Sequence, residues 1–306
     1  MLFGFLCGLS AGFIWGLVYL GPLVLRDFDP VFIALCRFLV FGVFSAICVA
    51  FRYPKFQVLT RRDWIDAIAL GIVGNLVFYW TLTEAVVRVG SAVAGAFTAL
   101  IPVTATICAN LTKREPLPWG RLVLPLTIIF AGLIMLNVDE FKRLLAMNFI
   151  EQGSDFYIGV IFALASVVLW TWYPLANAKW LRGHLRFSAM DWIFAQGITL
   201  LPTTLILLPL FPNTSAMLPK VDSFFVMWML ILGVICSWVA SVLWSIMSRR
   251  LPSLLVGQMI IFETISAVIY GCLWSHQMLN SLSIIGLVIL LAGISLSVKI
   301  CHNAHD

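Results

Sequence analysis

LGIVGNLVFYWTLTEAVVRVGSAVAGAFTALIPVTATICANL runs from residue 70 to 111, and LGVICSWVASVLWSIMSRRLPSLLVGQMIIFETISAVIYGCL from 232 to 273. Displacing the first stretch by 162 positions lays it on the second, and nine of 42 positions are identical. Leu70, Gly71, Arg88, Ser91 and Gly95 fall on Leu232, Gly233, Arg250, Ser253 and Gly257. Ala105, Ile107 and Leu111 fall on Ala267, Ile269 and Leu273. The matches include two glycines, a serine and a loop arginine, which biased membrane composition does not explain.

Working outward, apolar runs of membrane length continue on both sides. About 20 apolar residues cross the hydrocarbon core as a helix. Ten such segments are expected: 2–25, 30–51, 64–87, 89–111, 118–138, 156–178, 190–211, 224–248, 252–274 and 282–300. Each copy therefore holds five spans. Five is odd, so a five-span unit followed by its copy places the copy upside down in the bilayer. Inverted repeats of this kind build secondary transporters. The expected fold is an all-α integral membrane protein of ten transmembrane helices, as two inverted five-helix repeats around a central cavity. The repeats are residues 1–138 and 156–306, joined by an extracytoplasmic junction at 139–155.

Composition points the same way. Hydrophobic residues make up 62% of the 306 and charged residues 11%, with a mean hydropathy of +1.03. A soluble domain carries about 25% charge, so too little polar material is present to cover a water-facing surface. The net charge of +5 lies in short loops between apolar runs, with no basic tail, and no nucleic-acid partner is implied. On one set of alternate loops lie thirteen Lys and Arg, from Arg52 to Lys299, and on the other five. The positive-inside rule sets the first group in the cytoplasm, and both termini with it. The seven cysteines lie in or beside apolar stretches without a C-x-x-C pair, and His is too scattered to complete a metal site. No nucleotide-binding loop, zinc motif or G-x-S-x-G elbow is present. No catalytic residue, metal or cofactor is assigned, and nothing in the sequence speaks to oligomeric state.

The candidate site residues lie on the helices. Glu263 sits near the middle of span 9, where an ionised carboxylate costs several kcal/mol. It is read as a proton-coupling site or an anchor for a substrate ammonium, against a neutral carboxyl hydrogen-bonded between helices. Under the 162-residue shift its counterpart is the apolar Ile101. Arg37 is a basic residue well inside a span, and a structural ion pair with Glu84 is expected, with Arg88 as an alternative partner for Glu84. Polar stripes run along the third helix of each half, through Gly71, Asn75 and Tyr79 and through Gly233, Ser237 and Ser241, with Trp244 alongside. Spans 1 and 6 add Trp15, Tyr19, Trp170 and Tyr173. Gln258 precedes Glu263 by five residues and is expected to share its sector. Together these side chains outline an aromatic-walled cavity with few charges, suited to a small organic substrate. Gly4, Gly8, Gly12 and Gly16 form a small-residue stripe for close helix packing.

The chain resembles the drug/metabolite transporter superfamily, in particular EamA-type ten-helix permeases. The resemblance runs through Trp15-Gly16, Pro30, Arg37-Phe38, Asn75–Ala85, Ala92–Ala99, Leu100-Ile101-Pro102, Glu115 and Gly132. The second half is looser: Thr264 stands opposite Pro102, and Gln277 where the family often has Glu. The resemblance implies a central cavity, alternating access and movement of amino acids, other metabolites or drugs, frequently outward. It assigns no role to Glu263. The expected protein is a secondary transporter of the bacterial inner membrane that exports small metabolites, most of all amino acids or related amphiphiles, with protons as a coupling ion. A channel-like facilitator and a carrier of drugs or nucleotide-linked metabolites are the alternatives.

Overall fold

The computed structural model describes residues 2–112, 118–138, 142, 146, 153–276 and 281–303, and among these it contains helices and turns but no strand. The first half contributes α1 (Leu2–Val24), α2 (Pro30–Phe51), α3 (Arg61–Ile68), α4 (Phe78–Thr98), α5 (Ile101–Leu111) and α6 (Trp119–Leu136). The second contributes α7 (Ser154–Gly183), α8 (Ala189–Leu210), α9 (Ser223–Leu230), α10 (Ala240–Arg250), α11 (Ser253–Gln258), α12 (Ile261–Ser275) and α13 (Ser281–Asn303). A π-helical segment, Ala69–Val77, joins α3 to α4, and another, Ile231–Val239, joins α9 to α10. Nine helical stretches among the described residues are long and apolar enough to cross a membrane, and Ile101–Leu111 is a shorter apolar helix.

Local chemistry repeats between the halves. The α3 N-cap is Thr60, whose side chain accepts from Asp63 N while Asp63 reaches back to Thr60 N. The α9 N-cap is Asp222, whose side chain accepts from Phe225 N. Such caps satisfy amides that no helix carbonyl reaches. In the π segments, Asn75 Nδ2 donates to Leu70 O at 2.9 Å, and Ser237 Oγ to Leu232 O at 2.8 Å. Caps, π segments and these side-chain bonds all recur at the displacement that aligns the sequences.

The expected loop at Arg88 is not a gap in helical backbone, which is assigned through Thr98. The contacts nevertheless reverse there. Phe78, Ala85 and Arg88 meet Trp170, Ala163 and Asp155 of α7 in turn. Val93, Ala94 and Thr104 then meet Phe156, Ala163 and Thr171, in the opposite order. At a rise of about 1.5 Å per residue, a straight helix would hold Ala85 and Ala94 too far apart for both to touch one alanine. The path along α7 therefore reverses between Arg88 and Thr104.

Helices from opposite halves pack through glycine. A Cβ on Gly12 would meet Phe262 Cβ at 2.6 Å, and one on Gly8 would meet Met247 Cγ at 2.9 Å. The α1 stripe thus holds α1 against α10 and α12. Gly257 of α11 lies against Ala105 of α5. Gly132 and Gly293, matched in sequence, face each other's helices at the α6–α13 contact. The 139–155 junction, Glu115 and Gln277 lie outside the described residues, apart from 142, 146 and 153–155.

Candidate functional site

A cavity of about 350 Å³ opens between the halves. Its first-half wall comes from Trp15, Tyr19, Arg37, Phe38, Asn75, Phe78, Tyr79 and Thr83, and its second-half wall from Trp170, Ser241 and Glu263. Pro22, Leu23, Pro30, Val86 and Val87 form the rim, beside the α1–α2 turn. An aromatic layer closes the other end. Trp170 stacks on Phe78 with ring centroids 4.3 Å apart and on Tyr173 at 5.4 Å, and Trp15 packs on Trp244 at 5.0 Å. Trp15 is fixed by an indole N–H bond to Cys236 O at 2.9 Å.

Beyond this layer a buried polar chain leads toward the opposite face. Tyr173 donates to Gln196 Oε1 at 3.2 Å, Gln196 Nε2 and Trp192 Nε1 both donate to Asn177 Oδ1, and Asn177 Nδ2 reaches Ser245 Oγ. Trp192 stacks on Trp180, whose N–H donates to Asp63 Oδ1 at 3.0 Å. Ionic and carbonyl contacts then tie the helix ends. Arg52 pairs with Asp191 at 2.6 Å, Arg182 donates to Ser248 O and Leu251 O, and Arg249 donates to His184 O and Phe187 O.

Two charged side chains reach the cavity from buried positions. Glu263 lies in the first turn of α12, where the positive helix end favours a carboxylate. It can sit there because the helix restarts after the turn at Met259–Ile260. Tyr19 donates its hydroxyl to Glu263 Oε1 at 3.1 Å. Glu263 Oε2 and Trp170 Nε1 are both buried, and the Trp170 indole N–H interacts with the Glu263 carboxylate outside strict hydrogen-bond geometry. Arg37 Nε donates to Ser237 Oγ at 2.9 Å, and the guanidinium carbon lies 5.1 Å from the Phe38 ring centre.

Seven of the expected site residues therefore line one cavity: Trp15, Tyr19, Asn75, Tyr79, Trp170, Ser241 and Glu263. Tyr173, Ser237 and Trp244 stand one layer behind, as floor and as the Arg37 support. Two expectations are corrected. Gln258 does not share the Glu263 sector, because the turn at Met259–Ile260 intervenes and Gln258 Nε2 instead donates to Ser297 Oγ at 2.9 Å. Arg37 does not pair with Glu84, which bonds Arg88 at 3.1 Å one helical turn away; Arg88 also reaches Asp155. A third change concerns register. Helices restart at Ile101 and Ile261, so the position matching Glu263 is Val103, not Ile101. Phe38, Phe78 and Thr83 line the cavity without being among the expected site residues. Phe38 and Phe78 each adjoin a singled-out residue, Arg37 and Tyr79, and Thr83 continues the Asn75–Tyr79 stripe. Among the described residues no three His, Cys, Asp or Glu side chains gather as metal ligands.

A multi-pass bundle with a charged, aromatic cavity between two similar halves is the frame of a membrane transporter. The profile of the EamA-like transporter family matches residues 2–138 and 157–299, and the chain belongs to that family. It is 32% identical over 310 residues to inner membrane protein YtfF of Escherichia coli (strain K12), covering 98% of this chain and 96% of that protein. A protein of known crystal structure superposes with a TM-score of 0.75 over 99% of both chains at 16% identity, a likeness of fold.

Proposed function

We propose that the chain is a secondary active exporter of small amphiphilic metabolites, amino acids or their relatives, working by alternating access in a bacterial inner membrane. The observation that carries this reading is the cavity itself: both halves wall it, it opens beside the α1–α2 turn, and an aromatic layer closes it toward the opposite face. A continuous pore would lack that layer. Ten crossings in two inverted five-helix repeats fit the chain reversal after Arg88, the matched π segments and the family match in two stretches. The excess of basic residues on the Arg52 side puts that side and both termini in the cytoplasm, so the cavity opens outward.

Energy comes from an ion gradient, since no nucleotide-binding motif is present. Glu263 holds either a substrate ammonium or a proton. Competition of the two for one carboxylate couples solute movement to the proton gradient. Uptake and exchange in proteoliposomes, with a panel of amino acids, amines and metabolites and with or without a proton gradient, test this. Glu263→Gln should abolish acceleration by the gradient. A variant that still couples removes Glu263 as the carrier, and a panel on which no solute moves removes the transporter reading.

A further inference from the structure

Arg37 is 8% exposed, lines the cavity, and has no carboxylate oxygen within 4.0 Å among the described residues. Its Nε is held by Ser237, and the rest of its planar donor fork is not engaged by an acid. Glu263, on the same cavity, has no basic partner within that distance either. Arg37 and Glu263 feel each other across the cavity without touching, and a separated buried pair of this kind is expensive in a membrane unless a ligand fits between the two charges.

The second half contains a natural control for Arg37. A Cβ on Gly233 would meet Arg37 O at 2.9 Å, and one on the matching Gly71 would meet Gln196 O at 2.7 Å. Val40 and Thr199 are the neighbouring contacts at the two sites. Gln196 thus occupies in α8 the place that Arg37 occupies in α2. It is neutral, and its amide is satisfied by Tyr173 and Asn177. The packing of a second helix against a third therefore accepts a neutral amide. The positive charge at position 37 serves something other than the fold.

We propose that Arg37 is the subsite for an anionic group of the substrate, so that the cavity takes a zwitterion with its ammonium toward Glu263 and its carboxylate toward Arg37. The apolar part lies against Phe38, Phe78, Tyr79 and Trp170. This rests on the transporter reading above and narrows it, excluding simple amines and uncharged solutes as preferred cargo.

The test is binding of L-phenylalanine, phenethylamine and 3-phenylpropionate to purified protein, read by quenching of tryptophan fluorescence, since Trp15 and Trp170 line the cavity. A charge-assisted pair predicts that wild type binds phenylalanine about ten-fold or more tighter than phenethylamine. Arg37→Gln, which copies Gln196, should lose that margin and keep phenethylamine binding. Arg37→Lys keeps the charge without the planar fork and should keep part of the margin. If Arg37 only neutralises Glu263, the double variant Arg37→Gln/Glu263→Gln regains what each single variant loses, and the proposal is overturned. It is also overturned if Arg37→Gln keeps the wild-type preference, or if wild type binds amine and zwitterion alike. Counterflow in proteoliposomes separates the two levels of failure. Flux confined to solutes without an anionic group sinks the zwitterion and leaves the transporter standing; no flux of any solute sinks both.

Discussion

Tyr19 of α1 donates its hydroxyl to Glu263 of α12 at 3.1 Å, across 244 residues of sequence and between the two halves. The contact joins the rim side of the cavity to a buried carboxylate that also interacts with the Trp170 indole. Movement of α1 against α12 would therefore change the hydrogen bonding of Glu263, the one acidic group in the cavity wall among the described residues. The glycine stripe of α1 is the surface that packs against α10 and α12 beside this contact.

Tyr19→Phe removes this hydrogen bond and little packing, because Tyr19 is 40% exposed. A hydrogen bond to a charged group contributes about 1.5–3 kcal/mol. Solute affinity measured by fluorescence quenching should change by about ten-fold or more, with a smaller fall in the melting midpoint in detergent from the carboxylate oxygen left without its donor. A change in melting with no change in affinity would make the contact structural.

Gly12→Ala places a methyl 2.6 Å from Phe262 Cβ and 3.1 Å from Glu263 N. Overpacking of this kind costs about 1–3 kcal/mol, and the strain falls on the turn that presents Glu263. Both the melting midpoint and transport should fall. Gly120→Ala, where nothing among the described residues lies within 4 Å of the added carbon, should leave both unchanged.

Ser237→Ala removes one hydroxyl from two partners, Arg37 Nε and Leu232 O. A buried donor left unsatisfied costs about 1–3 kcal/mol, more when it is charged. Asn75→Ala, at the matching place in the first half, releases a side-chain bond to Leu70 O with no ion behind it. Thermal melts should rank Ser237→Ala as the more damaging, and an equal loss at both sites would show that Arg37 does not depend on Ser237.

Much of this arrangement was legible in the chain. The displacement that aligns Gly71 with Gly233 also aligns the two π segments, since the residues whose side chains bond five positions back, Asn75 and Ser237, belong to the same repeated stripe. Less visible was the turn at Met259–Ile260. The first half marks its break with Pro102 at the start of α5, whereas the second has no proline there. Without that mark, Gln258 and Glu263 read as one helix face, and the two-residue change of register passed unseen. The partner of Arg37 was hidden for another reason: Ser237 is 200 residues away, and helix periodicity sees only neighbours three or four positions apart.

Arg52 and Asp191 close the face opposite the cavity mouth, and their exposures differ: 30% for Arg52 and 2% for Asp191. Arg52→Gln leaves a buried carboxylate with, among the described residues, only the Lys55 cation at 4.0 Å, a loss of about 1–3 kcal/mol. Asp191→Asn leaves an arginine that reaches water. The first variant should melt lower than the second, and the reverse order would contradict the burial argument.

Alternating access through this one cavity is tested most directly by counterflow. Proteoliposomes loaded with an unlabelled amphiphilic amino acid should accumulate the labelled solute transiently, saturably and faster than unloaded vesicles, and Glu263→Gln should remove the effect of an imposed proton gradient. Flux that rises linearly with concentration and ignores the solute on the far side would contradict the account, because it would mean that the aromatic layer beneath Trp170 and Trp15 does not alternate with an opening at the other face.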